Sequence, residues 1–180
     1  MRNRPDKGFS MIEVLVTIVI LLVGLLGLAG LQARALTSQM ESYQRSQALI
    51  LLKDMAERIE NSRGNGVTTA TRGTGYNSSA ALDCAALTGS DLDLCEWHNA
   101  LLGTSEKAGG ENVGAMIGAR GCIYVITAPS AGVIGEFRVE VAWQGFNSTA
   151  VPALNCGANQ YGSNDALRRV VSLPVNIASL

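Results

Sequence analysis
The hydrophobic positions divide the chain unevenly. From Val14 to Leu31 every residue is apolar or glycine except Thr17, an unbroken run of 18 residues. That length lies at the lower end of what a membrane-crossing helix needs. Beyond the run the spacing becomes helical. Ala48, Leu51, Leu52, Met55 and Ile59 fall on one stripe, flanked by Arg45, Lys53, Asp54, Glu57, Arg58 and Glu60. Glu57 and Glu60 stand near Lys53 and Arg63 at spacings that allow weak helix pairs. No helix breaker separates Leu31 from Asn61. The pattern therefore predicts one helix from about residue 9 to about residue 61, roughly 80 Å long at 1.5 Å per residue. Residues 9–31 are its expected transmembrane part, and the second half lays its stripe on a soluble domain.

Residues 62–81 carry Gly, Ser, Thr and Asn without clear periodicity and read as a long connection. Its Gly73-Thr74-Gly75 lacks the lysine and the strand–helix context of a phosphate loop. Between Ala86 and Leu102 a short helix is expected, capped by Ser90 or Asp91 and burying Leu94, Trp97, Leu101 and Leu102. Cys122–Ile126 is a β-rich run, and Glu136–Trp143 alternates with Phe137, Val139, Val141 and Trp143 on one face. Gly132 and Gly135 permit a hairpin between the two. Arg169–Leu173 is a third candidate strand, with Pro174 either confining it to an edge or ending it. The fold class that follows is α+β: one long N-terminal helix packed on a small, mainly antiparallel β-sheet. The domain plan is a leader at 1–8, the helix at 9–61 and a globular domain at 62–180.

Composition adds the compartment and removes several functions. The formal net charge is −1 with the basic residues scattered singly, so no nucleic-acid partner is expected. All four cysteines, Cys84, Cys95, Cys122 and Cys156, follow the apolar run, which suggests disulfides in an oxidising compartment. Three pairings are possible. Cys84–Cys95 with Cys122–Cys156 is preferred, the second pair tying a sheet strand to the C-terminal loop. His98 is the only histidine and is expected at the surface. Without a ligand cluster around it no metal site is expected. No Ser-His-Asp set, zinc motif or nucleophile elbow is present, so no catalytic residue, enzymatic activity or cofactor is assigned. Trp143 and Tyr124 read as core residues.

The polar residues around the run give it a direction. Arg2, Arg4 and Lys7 precede it, whereas Arg34 alone follows closely. The positive-inside bias keeps the N-terminus in the cytoplasm and sends the rest across the inner membrane into the periplasm. Glu13 stands at the entrance of the run. A carboxylate there costs at most about 3 kcal/mol, against about 4–8 kcal/mol gained from a dozen aliphatic residues, so insertion wins. The small-x-small sequence Ala33-Arg34-Ala35 also fits a secretory cleavage site. The run is longer than the usual signal core, however, and its leading carboxylate needs a separate reason. Gly24, Gly27 and Gly30 permit close helix contact, or a segment able to unwind.

The segment Gly8-Phe9-Ser10-Met11-Ile12-Glu13-Val14-Leu15 resembles the cleavage motif of type IV pilins and type II secretion pseudopilins. The resemblance implies a prepilin peptidase that cuts between Gly8 and Phe9 and N-methylates Phe9. Loss of residues 1–8 would leave 11 basic and 14 acidic side chains. It further implies that Glu13, the fifth mature residue, pairs with the Phe9 amine of a neighbouring subunit. Such an amine is cationic at neutral pH, and the pair relieves the cost of burying either charge alone. The alternative is a Glu13 that snorkels to the headgroups. Arg120-Gly121-Cys122-Ile123, Val141-Ala142-Trp143-Gln144-Gly145 and Arg168-Arg169-Val170-Val171 are similar to the PilV branch of minor pilins. That branch implies a non-enzymatic role in priming or supporting pilus assembly, with other minor pilins and the major pilin as partners. A minor pseudopilin of a type II secretion system is the alternative.

Overall fold
A computed structural model describes residues 8–64, 67, 81–103, 107–108, 111–112, 116–162 and 164–178. Most of the expected 62–81 connection and the basic leader residues lie outside the described residues. The order of elements is α1 (Met11–Asn61), α2 (Gly89–Leu101), β1 (Lys107–Ala108), β2 (Glu111–Asn112), β3 (Arg120–Thr127), β4 (Gly135–Gln144) and β5 (Arg168–Ile177). Strands β3, β4 and β5 form an antiparallel sheet in that order, and β1 pairs with β2 in a separate two-residue ladder. The fold is thus the long apolar helix with a small antiparallel sheet that the pattern predicts, consistent with a type IV pilin fold. By its internal contacts the chain divides into Met1–Met40 and Glu41–Leu180.

The second unit has one main core. From α1 it takes Ala48, Leu52, Met55, Ala56 and Ile59, from α2 Leu94, Trp97 and Leu101. Phe137, Val139, Val141 and Trp143 of β4 come from the opposite wall, with Ile123, Val175 and Ile177 from its neighbours. Alternation along β4 turns its other set of side chains to the second face. There Ala142 packs with Cys122, Cys156 and Tyr161, so loop residues cover the sheet where a plain alternation predicts solvent.

Directed polar contacts fix this packing. The Trp97 indole Nε1 donates to the Leu51 carbonyl at 2.8 Å, joining α2 to α1. Arg58 pairs with Asp54 on its own helix at 3.1 Å and with Asp93 and Glu96 of α2 at 3.0 and 2.7 Å. Partial burial alone would lower the Arg58 pKa. The hydrogen bonds that Arg58 donates to Glu96, Asp54 and Asp93 and the Asp54 charge outweigh it, so the guanidinium stays charged well above its ordinary range. Lys53 and Glu57 do meet, at 3.5 Å, but both are largely exposed and the pair contributes little. Gly121 lets α2 approach β3 closely, because a Cβ there would overlap the Trp97 ring and lie 2.7 Å from Leu101 Cδ1.

Two expectations need correction, and the third strand takes the edge position that Pro174 allows while running further than expected. His98 is buried, only 2% exposed. It occupies the i+4 position of the Leu94, Trp97, His98, Leu101 stripe, so the face of α2 that reaches the core carries it inward. The helix is capped by Thr88, not Ser90 or Asp91, and with no side-chain cap hydrogen bond. Asp91 instead lies in the first turn, where a negative charge suits the helix dipole. Strand β5 continues through Pro174 to Ile177, with Pro174 opposite Arg138. An edge strand has one hydrogen-bonding neighbour, so the missing N–H is tolerated.

Candidate functional site
The first unit contains the residues that the sequence marks for processing and assembly. Gly8, Phe9 and Ser10 precede the helix, and the Ser10 carbonyl accepts from Glu13 N at 3.0 Å and Val14 N at 3.3 Å to start the first turn. Gly8 has nothing within 4 Å of the position a side chain would take. Glu13 lies in that first turn, where the positive end of the helix dipole favours a carboxylate. Phe9, Glu13, Val14 and Thr17 line one shallow hollow along the helix. The hydroxyl of Thr17 is turned back onto the Val14 carbonyl at 2.8 Å, which leaves the Glu13 carboxylate as the hollow's charged group. Among the described residues no cation pairs with Glu13.

Every residue from 8 to 36 is exposed. The helix contains a stretch of mean hydropathy 2.9, none of it buried, long and apolar enough to cross a membrane. An apolar surface of this extent requires lipid or other subunits to cover it. Gly24, Gly27 and Gly30 show the same incompleteness. Among the described residues no atom beyond the helix's own backbone lies within 4 Å of where their Cβ would be, so no packing contact there requires glycine.

The second unit secures the lower part of α1 to the sheet. Glu41 Oε1 accepts from the backbone N–H groups of Phe146 and Asn147 at 3.0 and 3.2 Å and from Arg169 Nη2 at 3.3 Å. Arg169 also donates to the Asn147 carbonyl at 2.6 Å and to Thr149 Oγ1 at 2.7 Å. Glu41 was invisible as a functional contact in the sequence, since its partners lie more than a hundred residues away and no local pattern announces them.

The cysteines pair as Cys84–Cys95 and Cys122–Cys156. Around the second bridge sits a charged framework that sequence reasoning missed. Glu140 is fully buried and accepts from Arg138 Nε at 2.8 Å and from Cys156 N at 3.2 Å. Buried Arg168 donates to the carbonyls of Pro152, Leu154 and Cys156 and forms an ion pair with Asp165 at 3.1 Å. Burial alone would raise the Asp165 pKa. The N–H groups of Asn159 and Tyr161 and the Arg168 charge prevail and hold it below the usual carboxylate range. Trp143 is a core residue, whereas Tyr124 is only half-buried, with the Arg138 guanidinium 5.0 Å from its ring centroid. Among the described residues no group of His, Cys, Asp and Glu is placed to hold a metal ion.

Two family models match the chain. Residues 3–29 match the prokaryotic N-terminal methylation motif, and residues 30–97 match the family described as type IV pilin Tt1218. No curated protein and no solved structure matches it. The matched segments adjoin, and together they carry the motif, the whole of α1 and most of α2. Motif, apolar helix and fold support a pilin or pseudopilin role, with an N-terminus of the kind that prepilin peptidase processes.

Proposed function
We propose that this chain is a minor pilin of the type IV pilus, cut between Gly8 and Phe9, methylated on Phe9, and used to prime or support pilus assembly. The observation that carries this reading is the methylation motif at residues 3–29, which runs through a helix whose apolar residues are exposed as far as residue 36. Before assembly, residues 9–31 sit in the inner membrane with the N-terminus in the cytoplasm and the domain from residue 62 in the periplasm. The two disulfides suit that oxidising side.

On assembly, lipid around the helix is exchanged for other pilin helices. The three glycines then have a use, since small residues let helix backbones approach closely. Glu13 needs a cation in that low-dielectric setting, and the methylated Phe9 amine of the adjacent subunit supplies one. The assignment to the PilV type rests on the segments 120–123, 141–145 and 168–171. A minor pseudopilin of a type II secretion system uses the same N-terminal chemistry, and the two machines separate by phenotype.

Mass spectrometry of this protein from purified surface pili tests the reading directly. The expected N-terminus is N-methyl-Phe9; a different terminus overturns the processing site. Loss of protein secretion with intact piliation after deletion of the gene would assign it to the secretion system instead. Glu13→Ala is expected to be cleaved normally but to recover several-fold less of the partner pilins on co-purification. Unchanged recovery would eliminate the charge pairing.

A further inference from the structure
A second site lies at the opposite end of the chain's chemistry, beside the Cys122–Cys156 bridge. A cavity of about 230 Å³ opens there between the start of β3 and the loop that follows β4. Arg120, Cys122 and Tyr124 form one wall, and Asn155, Gly157 and Gln160 the other.

The charge balance of this corner is uneven. Both nearby carboxylates are already engaged, Glu140 by Arg138 and the Cys156 N–H, Asp165 by Arg168 and two backbone N–H groups. Arg120 has no carboxylate partner among the described residues, and its buried Nε has no acceptor. The group hydrogen-bonded to Arg120 is the Tyr161 hydroxyl, which itself donates to the Gly118 carbonyl at 2.7 Å. Burial pushes that hydroxyl up to about 12, so it is neutral at physiological pH and leaves the Arg120 charge uncompensated. The Arg120 side chain lines the cavity, and an anion bound there would supply the charged partner it lacks.

The remaining lining specifies more than an anion. Asn155 and Gln160 are exposed loop residues whose amides both donate and accept, which suits hydroxyl groups. Tyr124 adds an aromatic ring, held in place by Arg138, that suits the apolar face of a sugar ring. Carboxylate, hydroxyls and a flat apolar face coexist in one small molecule class, and the volume admits a single ring.

We propose that the cavity between Arg120, Tyr124, Asn155 and Gln160 binds an acidic monosaccharide unit, with the Arg120 guanidinium receiving its carboxylate. The binding is independent of which assembly machine the N-terminal helix serves.

Galacturonate, galactose and inorganic phosphate, titrated separately into the full chain in detergent micelles and followed by amide NMR, test it. Galacturonate is expected to shift the resonances of residues 155–160 and to bind at least tenfold more tightly than galactose. Arg120→Gln is expected to weaken galacturonate binding roughly tenfold, in line with loss of a charged hydrogen bond. Arg120 also touches Tyr161, so the exposed Gln160→Ala serves as a second variant that spares the packing; a several-fold weakening is expected. Equal binding of galactose and galacturonate, no effect of either variant, or no binding at all would overturn the proposal. Phosphate binding as tightly as galacturonate would reduce the cavity to a simple anion site and also overturn it.

Discussion
Asp165 illustrates how much one side chain organises. Its carboxylate gathers the Asn159 and Tyr161 N–H groups at 2.6 and 3.3 Å while pairing with Arg168, and Arg168 in turn holds three carbonyls of the preceding loop. Both residues are almost fully buried, so neither charge has water as an alternative partner. The folded state lowers the Asp165 pKa, and its stabilising contribution is therefore complete above the unfolded value of about 4 and is lost as the pH falls through the depressed folded value. Unfolding midpoints measured from pH 7 down to pH 2 are expected to drop below about pH 4. Asp165→Asn is expected to start less stable at pH 7 and to show a shallower acid decline. Identical pH profiles for the two proteins would dismiss this role. Asp165 did not stand out in the sequence, and Arg168 stood out only within a segment of family resemblance, because an ordinary aspartate three residues before an arginine has no pattern to mark the pair.

At the scale of elements, the helices and strands were readable and their mutual fit was not. The stripe on α1 and the alternation on β4 follow directly from burial periodicity, and those residues form the core. The same rule places His98 inside with Leu94, Trp97 and Leu101, against the surface position its polarity suggests. The close approach of α2 to β3 depends on Gly121, whose packing role no periodicity in the sequence announces. Gly121→Ala would push a methyl into the Trp97 ring and Leu101, neither of which has room to retreat inside the core. The expected loss is about 1–3 kcal/mol, the usual cost of overpacking, seen as a lower midpoint in urea or thermal unfolding. The same change at Gly24, where nothing lies within 4 Å, is expected to leave the domain's midpoint unchanged. Equal effects at both positions would refute the packing argument. Strand β5 extends the lesson, since a proline is excluded only where a neighbouring strand needs its N–H, and an edge strand with one neighbour leaves its outward N–H groups unneeded.

For the whole molecule, the decisive contrast is between a unit with exposed apolar residues throughout and a unit with its own core, its own disulfides and its own sheet. A chain beginning at Glu41 keeps the stripe from Gln44 onward and both disulfide bridges. It is expected to be soluble and monomeric without detergent and to unfold cooperatively, checked by size-exclusion chromatography and circular dichroism. The Cys84–Cys95 bridge should contribute about 3 kcal/mol and Cys122–Cys156 about 4 kcal/mol of that stability by closing loops of their respective lengths. Aggregation of the oxidised fragment would show that the core needs residues before 41.

The sequence by itself determined the long helix, its apolar first half, the N-terminal methylation motif, and three strands of a mainly antiparallel sheet. Each of these is a local property, carried by periodicity, run length or a short motif, and such properties survive reading in one dimension. Only the tertiary structure decided that Glu41 meets Asn147 and Arg169, that Glu140 is buried behind Cys156, and that Arg120 meets the Tyr161 hydroxyl. These contacts join residues tens to more than a hundred positions apart. Their partners are chosen by how the loop after β4 closes over the sheet, and no spacing rule along the chain encodes that closure.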